Sequence, residues 1–262
     1  MDIFKLNIGD LGAELTAYIQ RPSREMASAE TKPAVLVLPG GGYFFCSDRE
    51  AEPIALAYAA EGFQTFVLRY SVGEKALNCQ PLREAGEAVV LIRERANEWH
   101  VIPDQIAVCG FSAGGHLGAW VSLKGGAKPN AAILCYPAVQ LAKIGAHSRI
   151  AAYLLGDGYT EQEAESVNLA GHVTPDAPPM FAWITADDAL VDARGVLAYA
   201  DAYAAAKRPY ELHIFQNGEH GLSLAKPFTA NGRADMADVR AEAWFPMSVA
   251  WLRRLFGHPK TV

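Results

Sequence analysis

Long apolar runs, clustered cysteines and basic tracts are all missing from this 262-residue chain. No apolar stretch reaches the roughly 18 residues that a membrane helix needs, so a helical span is excluded. The opening residues, Met1-Asp2-Ile3-Phe4-Lys5-Leu6, lack a basic region followed by an apolar core, and no secretory signal is expected. Lys and Arg total 23 against 29 Asp and Glu, a formal net charge of −6, and they form no stripe. That balance argues against nucleic acid and anionic membrane as partners. Cys46, Cys79, Cys109 and Cys135 are scattered without C-x-x-C spacing, and Cys109 and Cys135 lie in apolar strand-like runs. Reduced thiols in a cytoplasmic protein fit this pattern better than disulfides or metal ligands. There is no internal repeat, and the only biased tract is Ala-rich.

What is present is a large apolar fraction, 51% of residues, enough for one sizeable core. A single domain over 1–262 is expected, as is usual for α/β chains of this size. Residues 3–8 and 13–19 read as a leading hairpin turning at Gly9-Asp10, and 21–33 as a surface loop. Apolar runs at 33–38, 63–70, 105–109, 131–136, 180–185 and 211–215 read as buried strands. Helical spacing appears at 50–61, at 81–99, after residue 112 and at 193–207. A closing helix is expected over 237–256, interrupted near Pro246. Residues 140–179, punctuated by Gly156, Gly158, Pro175, Pro178 and Pro179, read as an irregular cap or binding loop. Strands alternating with helices imply a mostly parallel central sheet covered on both faces by helices. Functional groups then belong at the carboxyl ends of the strands.

The most informative stretch is Gly110-Phe111-Ser112-Ala113-Gly114, a G-x-S-x-G between a strand and a helix. That context suits a sharp turn that thrusts the Ser112 hydroxyl above the sheet, with small neighbours because strand and helix approach closely. Gly40-Gly41-Gly42 follows the strand at 33–38. Glycine frees backbone N–H groups to point into a cavity, and the N–H groups of Gly41, Gly42 and Ala113 suit an oxyanion hole. A phosphate loop is disfavoured, since no Gly-Lys-Ser/Thr follows. The strand at 180–185 runs into Asp187 and Asp188, either of which could hold a histidine in one tautomer. His220 follows the last strand in the turn-rich Gln216-Asn217-Gly218-Glu219-His220-Gly221. The order Ser, acid, His is that of the α/β-hydrolase arrangement. His116, inside the helix after the elbow, and His213, within a strand, read as structural; His100, His147, His172 and His258 do not follow a core strand at the right place.

With these residues the chain resembles the α/β-hydrolase superfamily. Within it the chain is similar to small bacterial acetyl-xylan or carbohydrate esterases of the hormone-sensitive-lipase-like, BD-FAE-like group. The resemblance runs from residue 33 to about 256. It rests on Pro39-Gly40-Gly41-Gly42-Tyr43, Ser47-Asp48-Arg49-Glu50, Leu68-Arg69-Tyr70-Ser71-Val72, the elbow through His116, Thr185 to Val191, and Glu219 to Ala225. It implies that the acid is Asp188, three residues before Val191, with Ser112 as nucleophile and His220 as base. Pro39 stands where larger esterases carry the His of H-G-G-G, Asp192 where a Pro is usual, and Val196 where a small polar residue is common. None of these touches the triad; they bear on the pocket rim.

The expected activity is hydrolysis of short, acetyl-type carboxylic esters through an acyl-enzyme, with acetylated sugars or xylan oligomers as the implied substrates. Tyr43 and Phe44 are expected either to wall the site or to pack in the core, and Leu190 and the segment 140–179 to shape it. No metal or organic cofactor is expected. The expected partner is a small-molecule ester, and the edge strands or the closing helix could pair two copies into a homodimer. A peptidase on the same fold and a silent binding member are the alternatives. The first commonly carries a gating domain for which there is no room, and the second would normally have lost a triad residue.

Overall fold

The apolar runs become eight strands: β1 (Asp2–Ile8), β2 (Ala13–Ile19), β3 (Lys32–Leu38), β4 (Gln64–Arg69), β5 (Val101–Phe111), β6 (Ala131–Cys135), β7 (Met180–Thr185) and β8 (Tyr210–Phe215). The computed structural model describes residues 1–25, 30–141 and 148–257. The strands form one sheet in the order β1-β2-β4-β3-β5-β6-β7-β8. β1 and β2 make an antiparallel hairpin, with Ile8 opposite Ala13, and β2 joins β4 antiparallel. From β4 to β8 every pairing is parallel. The near-continuous apolar sequence of the inner strands reflects this position: Ala34 to Leu38 and Met180 to Ile184 are wholly buried. β8, at an edge, is half-exposed and carries Glu211 and His213 among its apolar residues.

Seven helices are described: α1 (Glu52–Ala60), α2 (Gln80–Glu94), α3 (Ala113–Lys124), α4 (Ser148–Leu155), α5 (Glu161–Ser166), α6 (Ala193–Ala205) and α7 (Trp244–Phe256). Successive residues of β5 point to opposite faces and so assign the layers. Val108 faces α3, where Gly118 leaves room for it and for Leu38 and Leu134. Cys109 faces Tyr58 of α1, and Phe111 packs its ring against Trp244 of α7. α1 and α7 are joined by the Tyr58 Oη–Ser248 Oγ bond of 2.7 Å. Trp244 also stacks on Trp183 of β7, at 5.5 Å between centroids. Among the described residues no helix is long and apolar enough to cross a membrane.

Three elements depart from the sequence expectation. The helix expected over 81–99 ends at Glu94, and the chain continues in turns to Trp99. Trp99 is buried against Phe4 and Phe66, so its apolar spacing marks a plug beneath the sheet rather than a further helical turn. The closing helix is uninterrupted from Trp244. Pro246 sits in its first turn, where the N–H that proline lacks has no intrahelical acceptor in any case. The segment 140–179 is not irregular throughout. It holds α4, whose Ala151 and Leu154 are buried, and α5, begun by a reciprocal Thr160–Glu163 capping box. Both helices are short, and tertiary packing rather than propensity stabilises such elements.

Candidate active site

β3, β5, β7 and β8 are parallel, so the loops leaving them meet at one edge of the sheet. Those loops carry the glycine run, Ser112, the two aspartates and His220.

Ser112 occupies the elbow between β5 and α3 with φ 51° and ψ −115°, a backbone conformation that side chains rarely adopt. Its own N–H donates to the Cys135 carbonyl at 3.0 Å, and its carbonyl accepts from His116 N at 2.9 Å. Steric contact explains the flanking glycines. A Cβ on Gly110 would lie 2.1 Å from the Gly114 carbonyl oxygen, and one on Gly114 would lie 2.1 Å from the Leu38 carbonyl oxygen. These neighbours are backbone and cannot turn away. Gly114→Ala is therefore expected to cost about 3 kcal/mol or more, at the upper end of overpacking. Thermal unfolding should register this as a Tm lower by roughly 10 °C. A wild-type Tm would show that the elbow has more slack than these contacts allow.

His220 reaches both neighbours. Its Nε2 lies 2.8 Å from Ser112 Oγ and its Nδ1 lies 2.7 Å from Asp188 Oδ2. The Asp188 side chain is 1% exposed and that of His220 is 14%, so the acid is shielded while the base can meet a substrate. The other Asp188 oxygen, Oδ1, accepts the N–H groups of Leu190 (2.9 Å) and Val191 (2.8 Å). With the carboxylate accepting, Nδ1 carries the imidazole proton and Nε2 is the acceptor for the serine hydroxyl. Asp187 faces elsewhere. It accepts from Asn217 Nδ2 (2.9 Å) and Gly218 N (2.8 Å), and these bonds, the Asn217 one foremost, hold its carboxyl below the usual range. Its contact is with the start of the loop that carries His220, not with the imidazole.

Gly41 and Gly42 line the cleft beside Ser112 with φ of +127° and +64°. Gly40 spends its carbonyl on Ser47 N at 2.9 Å. The N–H groups of Gly41, Gly42 and Ala113 have no hydrogen-bond acceptor among the described residues. The cleft is open, about 340 Å³, with Phe45, Ile150 of α4 and Leu190 as its apolar walls.

Of the two roles open to it, Tyr43 takes the core one and does not wall the site. It is fully buried, and its hydroxyl donates to His116 Nδ1 at 2.8 Å. His116 Nε2 in turn donates to the Val167 carbonyl at 2.9 Å, and burial depresses its pKa to about 4, so it is a neutral strut under the cap. Phe44 is exposed at the rim against Phe45 and Tyr153, and Phe45, not Tyr43, faces the cleft. His213 pairs with Glu211 on β8, and His172 contacts the Glu165 carbonyl in the cap. His147 and His258 lie outside the described residues. Sequence reasoning did not single out Phe45, Ile150 or Glu50 as cleft residues, although Ile150 lies in the expected binding segment 140–179 and Glu50 in the marked stretch Ser47-Asp48-Arg49-Glu50.

The sheet order, the elbow and the placement of the acid and histidine after β7 and β8 are those of the α/β-hydrolase fold. MGS-M1, an α/β hydrolase enzyme from a Medee basin deep-sea metagenome library, has a solved structure similar to this one at a TM-score of 0.86. It is 39% identical, over 98% of this chain and 99% of that one. The BD-FAE family model matches residues 19–198, and the chain belongs to that family. It is 27% identical to an acetylxylan esterase of Xylanibacter ruminicola over 239 residues, 86% of this chain and 47% of that protein. It is 29% identical to endo-1,4-beta-xylanase B of Butyrivibrio fibrisolvens over 212 residues, 74% of this chain and 33% of that protein. The chain thus spans from a third to about half the length of these curated relatives.

Proposed function

We propose that this chain is a serine carboxylic-ester hydrolase acting on short acyl esters, with acetylated sugars or xylan oligomers as the substrate class. The observation that carries the reading is the unbroken line Ser112 Oγ–His220 Nε2 at 2.8 Å and His220 Nδ1–Asp188 Oδ2 at 2.7 Å, beside unpaired glycine N–H groups. Ser112 attacks the ester carbonyl as His220 takes its proton, and Asp188 stabilises the imidazolium. The N–H groups of Gly41, Gly42 and Ala113 receive the developing oxyanion. His220 then protonates the departing alcohol, and water, activated by the same imidazole, releases the acid. The reading of the substrate class is supported by the apolar walls that Phe45, Ile150 and Leu190 give the cleft and by similarity to the X. ruminicola acetylxylan esterase. Thiols without disulfide spacing favour a cytoplasmic setting.

A panel of nitrophenyl esters tests this reading. The acetyl ester is expected to be hydrolysed with a kcat/KM at least about 10-fold above that of a long-chain ester, because the apolar walls bound the acyl group. Comparable values for acetyl and long-chain esters would contradict the short-acyl reading, and cleavage of peptides but not esters would contradict the activity itself.

A further inference from the structure

We propose that Glu50 is a positioning residue of this site: a second buried acid that ties the glycine loop to the histidine loop and favours the protonated form of His220. The proposal rests on His220 being the base.

Glu50 is 4% exposed, yet it borders the catalytic cleft. Its Oε2 accepts the Gly40 N–H at 2.9 Å and its Oε1 accepts the Tyr136 hydroxyl at 2.6 Å. The Tyr136 oxygen itself accepts the Ser223 N–H at 2.9 Å, so the one hydrogen Tyr136 owns is aimed at Glu50. Both carboxyl oxygens therefore face donors. That is the environment of a carboxylate, not of an acid with its own proton to place. Burial opposes the charge and pushes the Glu50 carboxyl up; the Tyr136 hydroxyl, His220 and the Gly40 N–H act the other way. The groups facing Glu50 are His220, Arg49, Tyr136, Tyr70 and Cys135. Burial pushes Tyr136, Tyr70 and Cys135 well up, so they are neutral, and among the described residues the cationic groups acting on Glu50 are Arg49 and protonated His220.

The neighbouring bonds make the segment 49–50 a clamp. The Arg49 guanidinium donates to the Gly221 carbonyl, next to His220, and to the Thr229 carbonyl at 2.7 Å. Ser223 Oγ donates to the Arg49 carbonyl. On the other side, the Glu50–Gly40 and Ser47–Gly40 bonds occupy both polar groups of Gly40. The peptide plane leading into Gly41 is thereby fixed, and with it the direction of the Gly41 N–H. Gly40 must be glycine for this approach, since a Cβ there would lie 2.6 Å from Glu50 Oε2. Among the described residues, His220 bonds Asp188 through Nδ1 and acts through space on Glu50, which borders the same cleft, with the Tyr136 ring 5.1 Å away edge-on between the loops. When Ser112 loses its proton to Nε2, the charge of Glu50 lowers the cost of the imidazolium without binding it.

Glu50→Gln tests this, because glutamine keeps the shape and one acceptor but removes the charge. Per active site titrated with a fluorophosphonate, kcat on the acetyl ester is expected to fall about 10-fold or more while KM changes little. The acid limb of kcat/KM is expected to move to lower pH by about half a unit or more, since an imidazole that loses a neighbouring anion gives up its proton more readily. Glu50→Asp, which keeps the charge but is shorter, is expected to lower kcat and leave the limb in place. If Glu50→Gln does not fold, Tyr136→Phe removes a donor that keeps Glu50 charged against burial, so Glu50 takes up a proton more readily and the limb is expected to move the same way by less. A limb that stays put in Glu50→Gln, or in Tyr136→Phe as its substitute, overturns the proposal while leaving the esterase reading intact. A wild-type protein inactive on every ester would instead remove the reading on which it rests.

Discussion

Asp188→Asn is expected to lower kcat/KM about 10⁴-fold, the scale on which the wrong histidine tautomer disables a serine hydrolase. Asp187→Asn is expected to lower it less than about 10-fold, the worth of a surface hydrogen bond or two. The two carboxylates are neighbours in sequence and both face the end of β8, so the contrast tests geometry rather than charge. Asp188 Oδ1 accepts two backbone N–H groups, from Leu190 and Val191. In the asparagine variant those donors claim the amide oxygen, which turns the NH₂ toward His220 Nδ1. The imidazole must then place its proton on Nε2, where it can no longer accept the proton of Ser112. Asp187 has no such link. Its bonds to Asn217 and Gly218 steady the loop, and an asparagine oxygen can keep the Gly218 bond. Steady-state kinetics on the acetyl ester check both variants, and equal losses would mean that the acid has been misassigned.

Ser112→Ala is expected to have the largest effect, a loss in kcat of about 10⁶. Removing the hydroxyl leaves no group that can form the acyl-enzyme. What remains is the set of N–H donors at Gly41, Gly42 and Ala113, able to polarise a bound ester toward attack by water. Such remnants are worth roughly 10³ to 10⁴ over the uncatalysed reaction. The elbow backbone is held by the Ser112 N–H to Cys135 bond and by the packing of Gly110 and Gly114, none of which needs the hydroxyl. The variant should therefore fold normally, with an unchanged Tm, and still bind ester. A variant that keeps most of its activity would mean that another group is the nucleophile.

The parts of this site that were legible in the sequence are the parts set by local sterics. The glycines around Ser112 are there because backbone atoms lie 2.1 Å from where a Cβ would stand. The acid and the histidine each follow an apolar run short enough to be only a strand. The separation of Asp188 from Asp187 came from family resemblance, because which of two adjacent carboxylates turns inward depends on a turn closed by Leu190 and Val191. The role of Tyr43 stayed open, and Phe45 was passed over, for a related reason. Positive φ at Gly41, Gly42 and Tyr43 breaks any periodicity, so the sequence does not say which aromatic faces the core. Glu50 was invisible as a partner of Tyr136 and Gly40, since the tyrosine lies 86 residues away and a glutamate between Asp48 and Glu52 at the start of a helix fits a solvated first turn. Which residue of the segment 140–179 lines the cleft was not legible, because the eight-residue helix that carries Ile150 has too little pattern to stand out.

The most direct test of the central claim is the site and pH dependence of covalent labelling. Wild-type protein treated with a fluorophosphonate at neutral pH, digested and mapped by mass spectrometry, is predicted to carry one adduct per chain, on Ser112. The labelling rate should fall in acid, where a general base is protonated, and it should collapse in His220→Ala. An adduct on another residue, or labelling of Ser112 at an undiminished rate without His220, would contradict the account.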